Sequence, residues 1–348
     1  MPPLVKAQRY NDGMTHRALV HEDAAAEWAA VRHGVGLIDR GDLGVLEVTG
    51  RDRAVFLHAM LSNDVKSLAA GHGCAATFLD VHGKVQAVLV VLALEDRMLL
   101  LTPPGLATPT LEALDKYLFS EKASFRDATG EFALLMLAGP EAPQTAARLA
   151  TTAPPEAAWS HTTGTIDGLG VRLVRGDGET GEPEVWVIAG AAEHDRLWRA
   201  AVAAGARPVG PTAWESLRVE AGTPAFGRDV DASVLLPEVA GFERLVSYTK
   251  GCYIGQEVVV RIRDRGHVNR HLRGLVLEGD AIPPSDSPVI ADGAEIGRVT
   301  SAAWSPGLKR PIALAYVRRQ HAEPGTPLAV RVDGRSVPAT VAALPFPH

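Results

Sequence analysis

Beyond Gly274 no stretch of the chain spaces its apolar residues at helical intervals. Short apolar runs at 274–277, 289–290, 298–300, 312–317 and 328–332 are instead separated by Pro- and Gly-containing turns. Asp292-Gly293 and Asp333-Gly334 sit between such runs as two-residue hairpin signals, because both turn positions need a positive φ that Asp and Gly tolerate. A segment of this kind buries its apolar residues only by pairing strands, and closure removes the edges. The expectation is a separate C-terminal β-barrel over 265–348.

The chain before residue 260 mixes periods. Residues 22–32 and 51–61 read as helices, the second from Val55/Ala59 and Phe56/Met60 at i, i+4. Residues 85–94 and 97–101 read as adjacent strands joined at Glu95-Asp96. Leu111, Leu114 and Leu118 form a helical stripe, and 132–137 and 185–188 are strand-like. Leu197, Trp198, Ala201 and Val202 line a helix stopped by Gly205 and Pro208. Thr212 followed by Glu215 reads as a capping box, with Gly222 and Pro224 ending that helix. This predicts an α+β region of two domains, one from 1–45 plus 130–260 and one from 46–129. The full length of 348 residues suits two or three domains.

Composition narrows the function classes. A net charge of −6 argues against a general nucleic-acid coat. Two cysteines, Cys74 and Cys252, cannot staple a secreted scaffold. The first residues lack the layout of a signal peptide, and the longest apolar run, 87–94, is strand-sized. The expected location is cytoplasmic, with no membrane partner. His82-Gly83-Lys84 lacks the upstream glycine of a phosphate loop. His267 and His271 lie in apparent strand, where a four-residue spacing does not pair ligands, so no metal site is expected.

Three constellations carry chemistry. Lys250-Gly251-Cys252-Tyr253-Ile254-Gly255-Gln256-Glu257 brackets a thiol with glycines and places a cation beside it. That is either a tight turn with an inert cysteine or a turn with a thiol of lowered pKa. On the helix from Thr212, Glu220 flanks the apolar stripe of Trp214, Leu217 and Ala221. It reads as the partner of Arg218, or as a carboxylate fork for the parallel N–H donors of a heterocycle. Arg261, Arg263 and Arg265, followed by Arg270 and Arg273, would share one face of a strand. They form either a solvated face or an anion site, with transient RNA contact as one use.

The eight-residue run Lys250–Glu257 resembles the K-G-C-[YF]-x-G-Q-E motif of the YgfZ family of folate-binding proteins, relatives of the glycine-cleavage T-protein. Supporting segments are Gly36-Leu37-Ile38-Asp39, Leu61-Ser62-Asn63-Asp64-Val65 and Arg218-Val219-Glu220-Ala221-Gly222. The resemblance implies domains of ferredoxin-like α+β character around a central opening, ahead of the barrel. It implies a reduced folate, tetrahydrofolate or a derivative, as cofactor. It further implies support of iron–sulfur cluster assembly or repair, with iron–sulfur proteins or assembly factors as partners and a link to tRNA modification. In that reading Cys252 is the reactive thiol and Lys250 its tuner. Gly251 and Gly255 shape the turn, and Arg218, Glu220, Glu184, Tyr253, Gln256 and Glu257 serve the folate. T-proteins carry an acidic pair where this chain has Ala87 and Val88, and a pterin-holding glutamate where it has Trp186. The replaced pair argues against a standard aminomethyltransferase. The alternatives are a tetrahydrofolate-dependent aminomethyl or methyl transferase with unusual acids, and an RNA-binding accessory protein.

Overall fold

The computed structural model describes residues 23–347. The N-terminal reading above, and the first residues of the first expected domain, lie outside that range. The described chain forms two open sheets and a barrel.

The first sheet has six strands in the order β11-β1-β7-β10-β9-β8. These are β1 (Gly36–Asp39), β7 (Phe132–Ala138), β8 (His161–Ile166), β9 (Leu169–Arg175), β10 (Glu184–Gly190) and β11 (Arg207–Pro208). Only β1 and β11 pair in parallel. The second sheet has five strands in the order β3-β4-β5-β2-β6: β2 (Gly44–Thr49), β3 (His72–Leu79), β4 (Val85–Ala93), β5 (Met98–Thr102) and β6 (Ser124–Asp127). Along most of β4, buried and half-buried residues alternate, as a strand with one face on a core requires. The barrel closes in the order β12-β15-β14-β13-β16-β17. Its strands are β12 (Arg270–Leu277), β13 (Pro288–Ala291), β14 (Ala294–Ser305), β15 (Arg310–Arg318), β16 (Pro327–Val332) and β17 (Arg335–Ala342). At both expected hairpins the Asp and the Gly hold positive φ: 50° and 76° at Asp292-Gly293, 48° and 78° at Asp333-Gly334. The mixed α+β fold with a closed barrel is therefore present as expected.

The helices are α1 (Ala24–His33), α2 (Arg53–Met60), α3 (Ala107–Asp115), α4 (Ala142–Leu149), α5 (His194–Ala203), α6 (Pro211–Ala221) and α7 (Gln256–Arg265). No described helix is long and apolar enough to cross a membrane. Three local expectations fail. The capping box is absent, because Pro211 opens α6 and Gly210 is the N-cap. Proline suits the first helical position, which moves Thr212 inside the helix. The free Gly210 N–H is instead taken by Glu27 Oε2 at 2.8 Å. Leu118 lies beyond α3. Residues 261–265 are helical and not extended: the β-branched run Val258-Val259-Val260 suggests a strand, but Val259 packs into the core from a helix. Arg263 then lies about 200° from Arg261, while Arg261 and Arg265, four apart, come back to one helix face, so the three do not line a single face.

Candidate functional site

A cavity of about 430 Å³ opens where the two sheets, α6 and the loops of 223–245 meet. Its β4 and β5 wall is apolar, with Val88, Val90 and Leu101. The facing wall holds Arg40, Asp177, Glu179 and Trp186, and α6 adds Trp214, Glu215 and Arg218.

Arg40 organises the charged wall. It follows β1 directly, and its backbone N–H donates to Leu134 O of β7 at 2.8 Å, so the sheet fixes its position. Its guanidinium carbon lies 5.1 Å from the Trp186 ring and 4.8 Å from the Trp214 ring. Sandwiching a weakly hydrated, planar cation between two indoles suits arginine and not lysine. Arg40 Nη1 donates to Glu179 Oε2 at 2.5 Å, and Nε to Asp42 Oδ1 at 3.4 Å. Burial alone would lower the Arg40 pKa, but Glu179 and Asp42 outweigh it and raise the pKa. Behind the stack, Trp159 meets Trp186 edge-on at 6.1 Å.

Glu215 accepts from Arg218 Nη2 at 2.5 Å and Arg228 Nη2 at 2.6 Å. Burial pulls its pKa up, but the two arginines prevail and hold it below the ordinary value. Asp177 differs. Its nearest ion-pair partner, Arg244 Nε, stands 3.9 Å away, and burial holds its pKa above the ordinary value. Under this wall Glu184 is fully buried. One oxygen accepts from Thr180 N at 2.7 Å and Thr180 Oγ1 at 2.9 Å, and the other has no partner. Burial, and then the nearby Glu179 charge, push Glu184 above the usual carboxylate range.

The expected folate pair is not a pair. Arg218 and Glu220 are two residues apart on α6, so they point to opposite sides. Arg218 lines the cavity, while its N–H groups go to Glu215, Asp229 Oδ2, Thr223 O and Ser301 Oγ. Glu220 faces α1 and the barrel instead. It accepts from Trp28 Nε1 and Arg32 Nη2, each at 2.7 Å, and from Ser305 Oγ at 2.5 Å.

The Lys250–Glu257 motif also lies off the cavity lining. Lys250 Nζ donates to three backbone carbonyls at the end of α2: His58 O, Leu61 O at 2.5 Å and Asn63 O at 3.1 Å. An ammonium has three donors, so none remains for Cys252. Lys250 thus caps a helix end that favours a cation. Burial lowers its pKa to about 8. Gly255 has φ +80°, and a Cβ there would come 2.5 Å from Asp80 O. Gly251 has no such demand, with its closest neighbour at 3.9 Å. Tyr253 is buried, its N–H donates to Gln256 Oε1 at 3.2 Å, and its hydroxyl has no partner. Glu257 is exposed. The motif therefore joins α7 to the tip of the β3–β4 hairpin. Cys252 is exposed, while burial pushes the Cys74 thiol up to about 12. Because the thiolate is the reactive form, iodoacetamide near neutral pH should alkylate Cys252 well before Cys74. Peptide mass spectrometry checks this, and equal labelling would contradict it.

The basic stretch is tied internally. Arg263 pairs with Asp264 at 2.6 Å and lies 4.3 Å from the Tyr248 ring; Arg270 pairs with Glu238 at 3.0 Å. No three-His/Cys/Asp/Glu cluster among the described residues would hold a metal. Sequence reasoning missed Arg40, Asp177, Glu179 and Trp214 as cavity residues. The available signal was a glycine-flanked acidic loop, Gly176-Asp177-Gly178-Glu179, in a chain with only 5% aromatic residues, three of whose tryptophans converge here.

A three-part architecture with a cavity between two antiparallel-rich sheets and a trailing barrel defines a known class. Residues 4–250 match the GCVT N-terminal domain and 270–347 the glycine cleavage T-protein C-terminal barrel domain, so the chain belongs to the glycine cleavage T-protein family. The Aminomethyltransferase of Streptomyces avermitilis is 34% identical over 331 residues, covering 92% of this chain and 88% of that protein. That of Saccharopolyspora erythraea is 33% identical over 330 residues, covering 92% and 89%. The crystal structure of glycine cleavage system aminomethyltransferase T from Bartonella henselae superposes with a TM-score of 0.83, at 23% identity, covering 93% and 89%. These relatives overturn the iron–sulfur assembly reading, since whole-length similarity runs to proteins named for aminomethyl transfer. The YgfZ assignment gives way to the wider T-protein superfamily.

Proposed function

We propose that this protein is a tetrahydrofolate-dependent one-carbon transferase of the aminomethyl-transfer type, working in the cavity built around Arg40. The observation that carries this reading is the match at 34% identity along 92% of the chain to an aminomethyltransferase. Proteins of this family bind tetrahydrofolate.

The cavity lining fits such a ligand. Its volume of about 430 Å³ suits a small molecule. Val88, Val90 and Leu101 offer an apolar face for a flat ring, and the opposite wall offers carboxylates that accept ring N–H groups. Arg228 and Arg244, with side chains 39% and 47% exposed, stand on the lining as cations suited to a carboxylate-bearing tail. When bound, tetrahydrofolate supplies an amine that takes up a one-carbon unit. The protein must then hold the proton which that amine sheds. β4 does not provide for this: Ala87 is buried in the core of the second sheet and Val88 presents only methyl groups to the cavity. A carboxylate on the facing wall has to serve.

Calorimetric titration of the purified protein with 5-formyltetrahydrofolate is expected to show saturable binding. Incubation with an aminomethyl donor and tetrahydrofolate should release ammonia in a folate-dependent manner. No binding at millimolar folate would overturn the reading.

A further inference from the structure

We infer that Asp177 is the proton acceptor of the cavity, in the place of the carboxylates that β4 lacks. The inference rests on the folate-transfer reading above.

Elimination on geometry selects it. Among the described residues, four carboxylates line the cavity: Asp42, Asp177, Glu179 and Glu215. Glu179 and Asp42 are held by Arg40 at 2.5 and 3.4 Å. Glu215 is held by Arg218 and Arg228 at 2.5 and 2.6 Å. Protonating any of these three breaks a direct ion pair. Asp177 stands 3.9 Å from Arg244 Nε and makes no direct hydrogen bond to it. The neighbouring Trp159 side chain favours its charged form without supplying a counter-charge. Its side chain is 15% exposed, so it reaches the cavity while shielded from bulk water.

The groups facing Asp177 set its proton affinity. Burial raises it, Arg244 lowers it, and Glu179 on the same loop raises it again. Glu184, beneath the loop, feels the Asp177 charge in turn. The balance leaves Asp177 above the ordinary carboxylate value, nearer the working pH of a general base. In the transfer step Asp177 Oδ accepts the proton that the attacking amine nitrogen sheds. The new nitrogen–carbon bond forms as the carbon–nitrogen bond of the donor's aminomethyl group breaks, and the protonated amino group leaves with that electron pair as ammonia.

The test combines binding and rate. Titration with 5-formyltetrahydrofolate in buffers of different ionisation enthalpy, mildly acidic, counts protons exchanged on binding. Covering Asp177 with ligand desolvates it further, so the unaltered protein is expected to take up a proton fraction that Asp177→Asn does not. The rate of folate-dependent ammonia release should rise with pH through the Asp177 pKa. Asp177→Asn should lose that limb and about 10²–10⁴-fold in kcat, with folate Kd changed less than about threefold. Asp177→Glu keeps a carboxylate and should retain the limb, so a poorly folding Asn variant leaves a second comparison. Loss confined to Kd, or an unchanged limb and proton count in Asp177→Asn, overturns the assignment. No folate binding by the unaltered protein overturns instead the reading on which it rests.

Discussion

Replacing Arg40 with methionine is expected to abolish folate binding and to lower stability by about 3–5 kcal/mol, the scale for stripping one partner from a buried ion pair. The residue is 7% exposed and neutralises Glu179 and Asp42 beside buried Glu184. Without it, three carboxylates crowd one desolvated wall with no cation between them. The indole faces of Trp186 and Trp214 would also lose the plate that spaces them, and the cavity would lose its shape. Arg40→Lys keeps the charge but not the planar contact, so it should fall between the two. Urea unfolding gives the stability change, and titration with 5-formyltetrahydrofolate gives the binding change. A methionine variant within about 1 kcal/mol of the parent that still binds folate would show that the stack is incidental.

What was legible in the sequence was local. The barrel hairpins are written in Asp-Gly pairs whose backbone angles no long-range contact has to impose. Gly222 ends α6 with φ +73°, as a C-terminal glycine should. The apolar stretch of the cavity wall was legible only through the family resemblance, which sets Ala87 and Val88 where T-proteins carry an acidic pair. The site was not legible, for a physical reason. Arg40, the β9–β10 segment carrying Asp177 and Trp186, and Trp214 are distant in sequence and are joined by the order in which β1, β9, β10 and α6 pack. Stacking of a cation between two indoles leaves no periodic trace. The Lys250–Glu257 motif carries a structural role that its sequence did not announce. Its density suggested chemistry at Cys252, yet Lys250 caps α2 and Gly255 admits the carbonyl of Asp80. A dense motif can record a crowded joint between elements as readily as a reactive centre.

Arg218→Met should be as damaging to stability as Arg40→Met, for a different reason. Arg218 is 3% exposed and joins three parts of the molecule: Glu215 of α6, Asp229 and Thr223 of the cavity loop, and Ser301 of β14. Its removal leaves the fully buried Asp229 side chain with only neutral donors, Ala225 N at 2.8 Å and Thr300 Oγ1 at 2.5 Å. The expected loss is about 3–5 kcal/mol by urea unfolding. Amide exchange should quicken across 223–230, because the arginine ties the loop's Asp229 and Thr223 to α6 and reaches Ser301 of the barrel, leaving Arg228–Glu215 as the remaining ion pair to α6. The pair can be isolated. Asp229→Asn removes the charge that Arg218 compensates, so the double variant Arg218→Met/Asp229→Asn should lose less than the two single variants added together, by about 1–3 kcal/mol. Strict additivity would mean that the ion pair carries no coupling and that Arg218 acts through packing alone. In that case the loop should keep its exchange protection in Arg218→Met even as global stability falls.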